Sequence, residues 1–127
     1  MKKIIATSKA PGAIGPYSQG IMAGNILIIS GQLPIDPESG KMADSVEEQA
    51  KRSLQNIEGI LQEAGLSRND VIKTTIFLKD LGDFEGVNKI YGDFFAGCSF
   101  PARSTVEVAR LPRDAAIEIE AMAYKGP

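Results

Sequence analysis

The chain has no histidine and a single cysteine, Cys98, among its 127 residues. Each shortage removes a class of chemistry. Without histidine, the commonest general base near neutral pH and the commonest metal ligand are both missing. Ser-His and Cys-His nucleophilic pairs cannot be assembled either. One cysteine makes no intrachain disulfide and no cysteine-rich metal centre. It lies in Gly97-Cys98-Ser99 with no basic neighbour to activate it, and reads as inert. A surplus of positive charge is also lacking: 14 Lys and Arg against 16 Asp and Glu give a net charge of −2. Nucleic-acid binders draw most of their affinity from neutralising phosphates, so a nucleic-acid partner is not expected. Long hydrophobic runs are missing too. No stretch approaches the ~20 apolar residues of a membrane span, and the run after Met1-Lys2-Lys3 is too short for a signal peptide. The expected compartment is therefore the cytoplasm, with no membrane partner.

What is present is ordinary globular material. Hydrophobic residues at 43% against charged residues at 24% exclude a disordered chain. The length suits one domain spanning 1–127, able to bury roughly two thirds of its unfolded surface. Tyr17–Ala23 and Ile26–Ser30 flank Gly24-Asn25, which predicts a tight β-hairpin. Pro34–Lys41, with two prolines, Asp36 and Gly40, reads as a loop. Ser45 followed by Glu48 is a capping-box pattern. Val46, Ala50, Leu54, Ile57, Leu61 and Ala64 then recur every three or four residues up to Gly65, which predicts a capped amphipathic helix.

Val71–Lys79 reads as a strand, with Ile72, Thr74, Ile76 and Leu78 on one face. A second helix is expected from Asp83, as its cap, to Phe95, with Phe84, Val87, Tyr91, Phe94 and Phe95 on its apolar side. Strands at Arg103–Ala109 and Ala116–Tyr124 close the chain around a turn at Leu111–Asp114, and a short strand at Lys3–Thr7 would open it. The expected fold class is α+β: a two-layer sandwich of a mixed β-sheet with two helices on one face. Two helices cover one face only. The other, expected to carry Thr105, Glu107, Glu118, Glu120 and Met122 among apolar neighbours, suggests burial against another copy in a closed homo-oligomer.

The chemical inventory is then carboxylates, Arg, Lys, Tyr, Ser and Thr. Arg103 opens a strand just after Pro101, and its planar fork suits a carboxylate; taken alone, it reads first as a surface arginine in a salt bridge. Glu118 and Glu120 share one strand face, where burial would raise a carboxylate pKa and make it a proton carrier; in solvent they are only a polar face. Ser30-Gly31-Gln32 ends a strand with a glycine that lets a ligand approach the backbone, or simply makes a turn. Tyr17 is a core aromatic or a lid, and Asn88 lies on a helix.

Taken together, Ala13-Ile14-Gly15-Pro16-Tyr17-Ser18-Gln19-Gly20, Ser30-Gly31-Gln32, Phe100-Pro101-Ala102-Arg103-Ser104, Val106–Pro112 and Ile117–Ala121 closely resemble the RidA (YjgF) family of reactive-intermediate deaminases. The resemblance runs from about Ala6 to Ala123. It implies a chorismate-mutase-like fold and a homotrimer with sites between subunits. It also implies cofactor-free hydrolysis of 2-imino acids, 2-iminobutanoate and 2-iminopropanoate, to 2-oxo acids and ammonia, with no metal. Carried over to this chain, Arg103 would clamp the substrate carboxylate and Glu118 would hold or activate water. Tyr17 would cover the substrate, Ser30 and Gly31 would form the wall, Asn88 would support the pocket, and the backbone N–H of Thr105 would help bind the carboxylate. Thr105 stands where many relatives have cysteine, so a cysteine nucleophile is not part of the scheme. Alternative readings are a trimeric ligand-binding regulator or chaperone-like protein, and an endoribonuclease that inhibits translation.

Overall fold

The computed structural model describes residues 1–127. The elements, in chain order, are β1 (Lys2–Ile5), β2 (Gly20–Ala23), β3 (Ile26–Gln32), α1 (Val46–Glu63), β4 (Val71–Leu78), α2 (Phe84–Phe94), β5 (Ala102–Glu107) and β6 (Ile117–Tyr124). The strands form one six-stranded sheet in the order β1-β2-β3-β6-β4-β5. Every neighbouring pair is antiparallel except β4 and β5. That parallel pair needs a crossover, and α2 supplies it. The expected two-layer α+β sandwich is therefore present, with both helices on one face of a mixed sheet. The short opening strand is also there, as Lys2–Ile5, and the β2–β3 connection is two residues long, with Gly24 at φ 59°.

Local signals set the ends of α1. The Ser45 hydroxyl accepts the Glu48 N–H at 3.1 Å, which satisfies one orphan donor of the first turn. At the other end Gly65 takes φ 76°, and the N–H groups of Gly65 and Leu66 return to the carbonyls of Gln62 and Leu61. This is the paired C-terminal closure that a left-handed glycine permits. One expectation for α2 fails. Asp83 makes no side-chain cap; Asp80 caps the preceding 3-10 turn instead, its carboxylate accepting the Gly82 N–H at 2.8 Å.

Side chains alternate along each strand, so register decides what meets what. Ile117, Ile119, Ala121 and Ala123 of β6 point under the helices and are buried, together with Leu27 and Ile29 of β3 and Ile76 and Leu78 of β4. Leu54, Ile57, Ile60 and Leu61 of α1 and Val87 and Tyr91 of α2 close this core from above. Two expectations are corrected here. A register shift between Val71 and Lys73 turns Val71 inward and leaves Ile72 exposed, so Ile72 does not share the core face of Thr74, Ile76 and Leu78. Thr105 and Glu107 also change sides. Arg103 pairs with Thr74 and Thr105 with Ile76, which places Arg103, Thr105 and Glu107 on the helix-bearing face. Glu107 confirms the placement by accepting the Leu81 N–H at the turn into α2, at 2.9 Å. The helix-free face carries Glu118, Glu120 and Met122 as expected, with Ile28, Phe77 and Val106.

Three buried amides tie the loops to this frame. Gln19 accepts the Thr7 N–H at 2.7 Å and donates to the carbonyls of Thr7, Ala10 and Pro11. Gln49 donates to the Ala43 carbonyl and accepts the Ala116 N–H. Asn56 donates to the carbonyls of Leu33 and Ile35 at 3.1 and 3.0 Å. Each amide satisfies backbone groups that would otherwise be buried without partners. The Gln19-held segment then lies directly on α1: a Cβ added at Gly59 would stand 2.8 Å from the Lys9 Cβ and 2.9 Å from its carbonyl oxygen. Alanine in a helix is favoured over glycine by about 1 kcal/mol. Here the contact with Lys9 backbone outweighs that preference, because overpacking costs about 1–3 kcal/mol. Gly59→Ala is therefore expected to lower the urea midpoint, whereas a stabilised variant would show that the Lys9 segment yields freely.

Candidate functional site

One half of the candidate site is built where β3 meets β6. The register between them shifts between Ile29 and Gln32. A shift of this kind frees backbone from regular pairing and re-aims side chains. Ser30 is held there by its hydroxyl, which donates to the Ser18 carbonyl at 2.6 Å, and by its N–H to the Gln19 carbonyl at 2.9 Å. Gly31 has a steric reason to be glycine: a Cβ would lie 2.8 Å from the Glu118 carboxyl carbon. The carboxylate of Glu118 thus rests against bare backbone. Tyr17 stands exposed along the same cleft, after Gly15 at φ 125°, a conformation that side-chain-bearing residues rarely adopt. These groups line an open cleft of about 960 Å³, along with Glu120, Ile28, Phe77 and Arg113.

Glu118 is half-buried in this cleft, and its pKa is raised. Desolvation is the main cause, and the like charge of Glu120 adds to it. A carboxyl so placed can hold a proton closer to neutrality than an ordinary glutamate does, and can pass it to or take it from a bound water.

The other half lies on the opposite face of the sheet, at its β5 edge. Arg103 leaves β5 towards α2 and donates through Nη1 to Asn88 Oδ1 at 2.7 Å. Its guanidinium carbon stands 4.8 Å from the Tyr91 ring centre and 5.4 Å from that of Phe84. Its Nε and Nη2 donors have no partner in the chain. A planar fork fixed on one side and unpaired on the other suits bidentate capture of a carboxylate. The backbone near it is also open. The Val108 N–H bonds to the Leu78 carbonyl of β4, so strand alternation turns the N–H of Thr105 towards the unpaired edge. The Thr105 hydroxyl is out of solvent and makes no hydrogen bond.

The chain therefore brings Tyr17, Ser30, Gly31 and Glu118 together at one cleft, and Asn88, Arg103 and Thr105 together at one sheet edge. It does not bring the two groups to each other. Its ion pairs are Arg68–Glu58 and Arg110–Asp114, neither of them between the two half-sites. No group of three His, Cys, Asp or Glu side chains converges to hold a metal. Sequence reasoning missed Tyr91 and Phe84 as partners of Arg103. It placed them on the apolar side of α2. The available signal was that Phe84, Asn88 and Tyr91 stand at i, i+4 and i+7, on one helix face.

A six-stranded mixed sheet with two helices on one face, and a strand-edge arginine apart from a cleft glutamate, defines the class of protein. Comparison with known proteins makes it specific. The family model described as endoribonuclease L-PSP matches residues 7–125. The 2-iminobutanoate/2-iminopropanoate deaminase of Salmonella typhimurium is 54% identical over 98% of this chain and 99% of its own length. A RutC family protein of Pyrococcus abyssi is also 54% identical, covering 98% of each chain. Among solved structures, Escherichia coli TdcF with bound serine superposes with a TM-score of 0.96 at 48% identity, covering 98% of this chain and 99% of that one. The chain belongs to the RidA/YjgF family. No helix is long and apolar enough to cross a membrane.

Because the charge of Glu120 contributes to the raised pKa of Glu118, Glu120→Gln is expected to move the Glu118 titration midpoint towards the ordinary glutamate value. Carboxyl carbon NMR across a pH series measures it directly. A midpoint that stays in place would mean that burial alone sets it.

Proposed function

We propose that this chain hydrolyses reactive 2-imino acids, 2-iminobutanoate and 2-iminopropanoate, to 2-oxo acids and ammonia in the cytoplasm, as a one-domain protein spanning 1–127. The carrying observation is the 54% identity, along nearly all of both chains, to a deaminase of those two substrates. The two half-sites supply what that reaction requires. The protonated imine carbon is already electrophilic, so the protein must orient it, place a water and move a proton. Arg103, through Nε and Nη2, takes the carboxylate, assisted by the Thr105 N–H. The serine bound to the TdcF relative carries the same α-carboxylate. Glu118 accepts a proton from water as its oxygen bonds to the imine carbon. Glu118 returns that proton to the carbinolamine nitrogen, the C–N bond breaks, and the hydroxyl proton passes to the departing ammonia, leaving the 2-oxo acid and ammonium. Tyr17 covers the substrate, Ser30 and Gly31 form its wall, and Asn88 keeps Arg103 aimed.

Arg103 and Glu118 lie on opposite faces of one sheet, so a site using both is completed by a second copy. The helix-free face supports this. Ile28, Val106 and Tyr124 are exposed on it in the single chain, and burial against neighbours would remove them from water. The assembly proposed is a closed homotrimer whose three sites each take Arg103 from one subunit and Glu118 from the next. The cleft does not favour cleavage of RNA, since Glu118 and Glu120 line it and would repel phosphates.

In a coupled assay, threonine dehydratase generates 2-iminobutanoate and semicarbazide competes for it. Wild type is expected to suppress semicarbazone formation. Arg103→Ala should lose about 10²-fold or more in kcat/KM, the scale of removing one partner of a desolvated charge pair. Unchanged activity in Arg103→Ala would refute the assignment. Inactive Arg103→Ala and Glu118→Gln proteins, unfolded and refolded together, should recover roughly a quarter of wild-type activity, because random closed trimers place both intact residues at that share of interfaces. No recovery would place both residues in one subunit's site or in none.

A further inference from the structure

The mechanism asks Arg103 to hold a flexible side chain in one place, and the side chains beneath it show what holds it. Tyr91 is buried in the core, 4% exposed, and its ring packs against Phe95 at 4.9 Å between centres. Its hydroxyl shares a 2.6 Å hydrogen bond with the hydroxyl of Thr74, itself 1% exposed. A buried phenol needs such a partner. This partner is not arbitrary: Thr74 is the residue of β4 in register with Arg103 of β5. The bond therefore fixes the ring to the same rung of the sheet from which Arg103 departs. The guanidinium lies 4.8 Å above that ring, with Phe84 at 5.4 Å, about two turns back along the same helix face.

We propose that Tyr91, anchored by Thr74 and assisted by Phe84, is a positioning residue that holds the Arg103 guanidinium in carboxylate-binding orientation. Asn88 fixes the rotation of the fork by accepting from Nη1. The aromatic faces fix its height and tilt through cation–π attraction, which strengthens where water is excluded. A clamp held this way loses less rotamer freedom when substrate arrives, so its effect falls on substrate binding. This role rests on the reading of Arg103 as the carboxylate clamp.

Two readouts test it separately. The Arg103 Nε–H, held close to two ring faces, should give an NMR resonance displaced from the solvent-exposed arginines. Tyr91→Leu keeps apolar volume but removes the ring and hydroxyl. It is expected to return that resonance to the arginine envelope and raise KM for 2-iminobutanoate about tenfold, with a smaller change in kcat. Tyr91→Phe keeps the ring and loses the anchor. It should raise KM by less, Thr74→Val should match it, and the double variant should be no worse than either alone. If Tyr91→Leu does not fold, Phe84→Leu, at a partly exposed position, should still shift the resonance and raise KM by a few-fold.

An undisplaced Arg103 resonance in wild type would overturn the proposal. So would an unchanged KM in a folded Tyr91→Leu protein, or a loss confined to kcat and melting temperature. If Arg103→Ala itself left KM unchanged while the resonance shifts held, the cradle would stand and the carboxylate-clamp reading would fall.

Discussion

Strand alternation governs everything this molecule can do at its candidate site. β4 pairs with β5 on one side and β6 on the other. Its Thr74 and Ile76 stand in register with Arg103 and Thr105, and its Phe77 with Glu118. Thr74 and Phe77 point to opposite faces of the sheet, so Arg103 and Glu118 do too. No side-chain rotation within one chain reunites them across a sheet closed by a packed core. The two chemical groups are each well placed and each incomplete.

The two faces also carry different energetic burdens. Under α1 and α2 the sheet meets a dense core in which most buried polar groups are paired: Thr74 with Tyr91, Asn56 with two loop carbonyls, Gln49 across two elements, the hydroxyls of Ser53 and Thr105 being the exceptions. On the helix-free face Glu118 is partly desolvated beside another carboxylate and forms no ion pair within the chain. An ionised carboxylate in that setting is unfavourable. A neighbouring subunit that supplied Arg103 and covered Ile28 and Val106 would relieve both the charge and the exposed apolar surface. Assembly and site completion would then be one event.

Much of the frame was legible along the chain because its causes are local. The α1 stripe, the Ser45 cap and the Gly65 closure all act within a few residues, as does the Gly24-Asn25 turn. The placement of the candidate residues was less legible than their chemical types. Thr105 and Glu107 were placed on the face of Glu118 because alternation within a strand says nothing about which face is which; only the pairing with Thr74 and Ile76 does. Ile72 was misplaced for a related reason, since one register shift inverts the side chains before it. The amides of Gln19, Gln49 and Asn56 were not picked out, because most of their partners lie many residues away or past a turn. Tyr91 was seen as core, which it is; its second role depends on a strand partner that no helical periodicity reveals.

The absence of histidine has a consequence for how the reaction is divided. A strong base is needed when an enzyme must create its own electrophile or nucleophile. A protonated imine is an electrophile before it arrives, and water needs only modest assistance to attack it. The demand shifts from proton affinity to orientation. The chain's polar investments follow that shift: one carboxyl with a raised pKa rests against bare backbone at Gly31, while an amide, two aromatic rings and a buried hydroxyl pair converge on a single guanidinium. Thr105 shares the face of Arg103, and its hydroxyl is buried without a hydrogen-bond partner, so the group that its edge of the site offers a carboxylate is the backbone N–H.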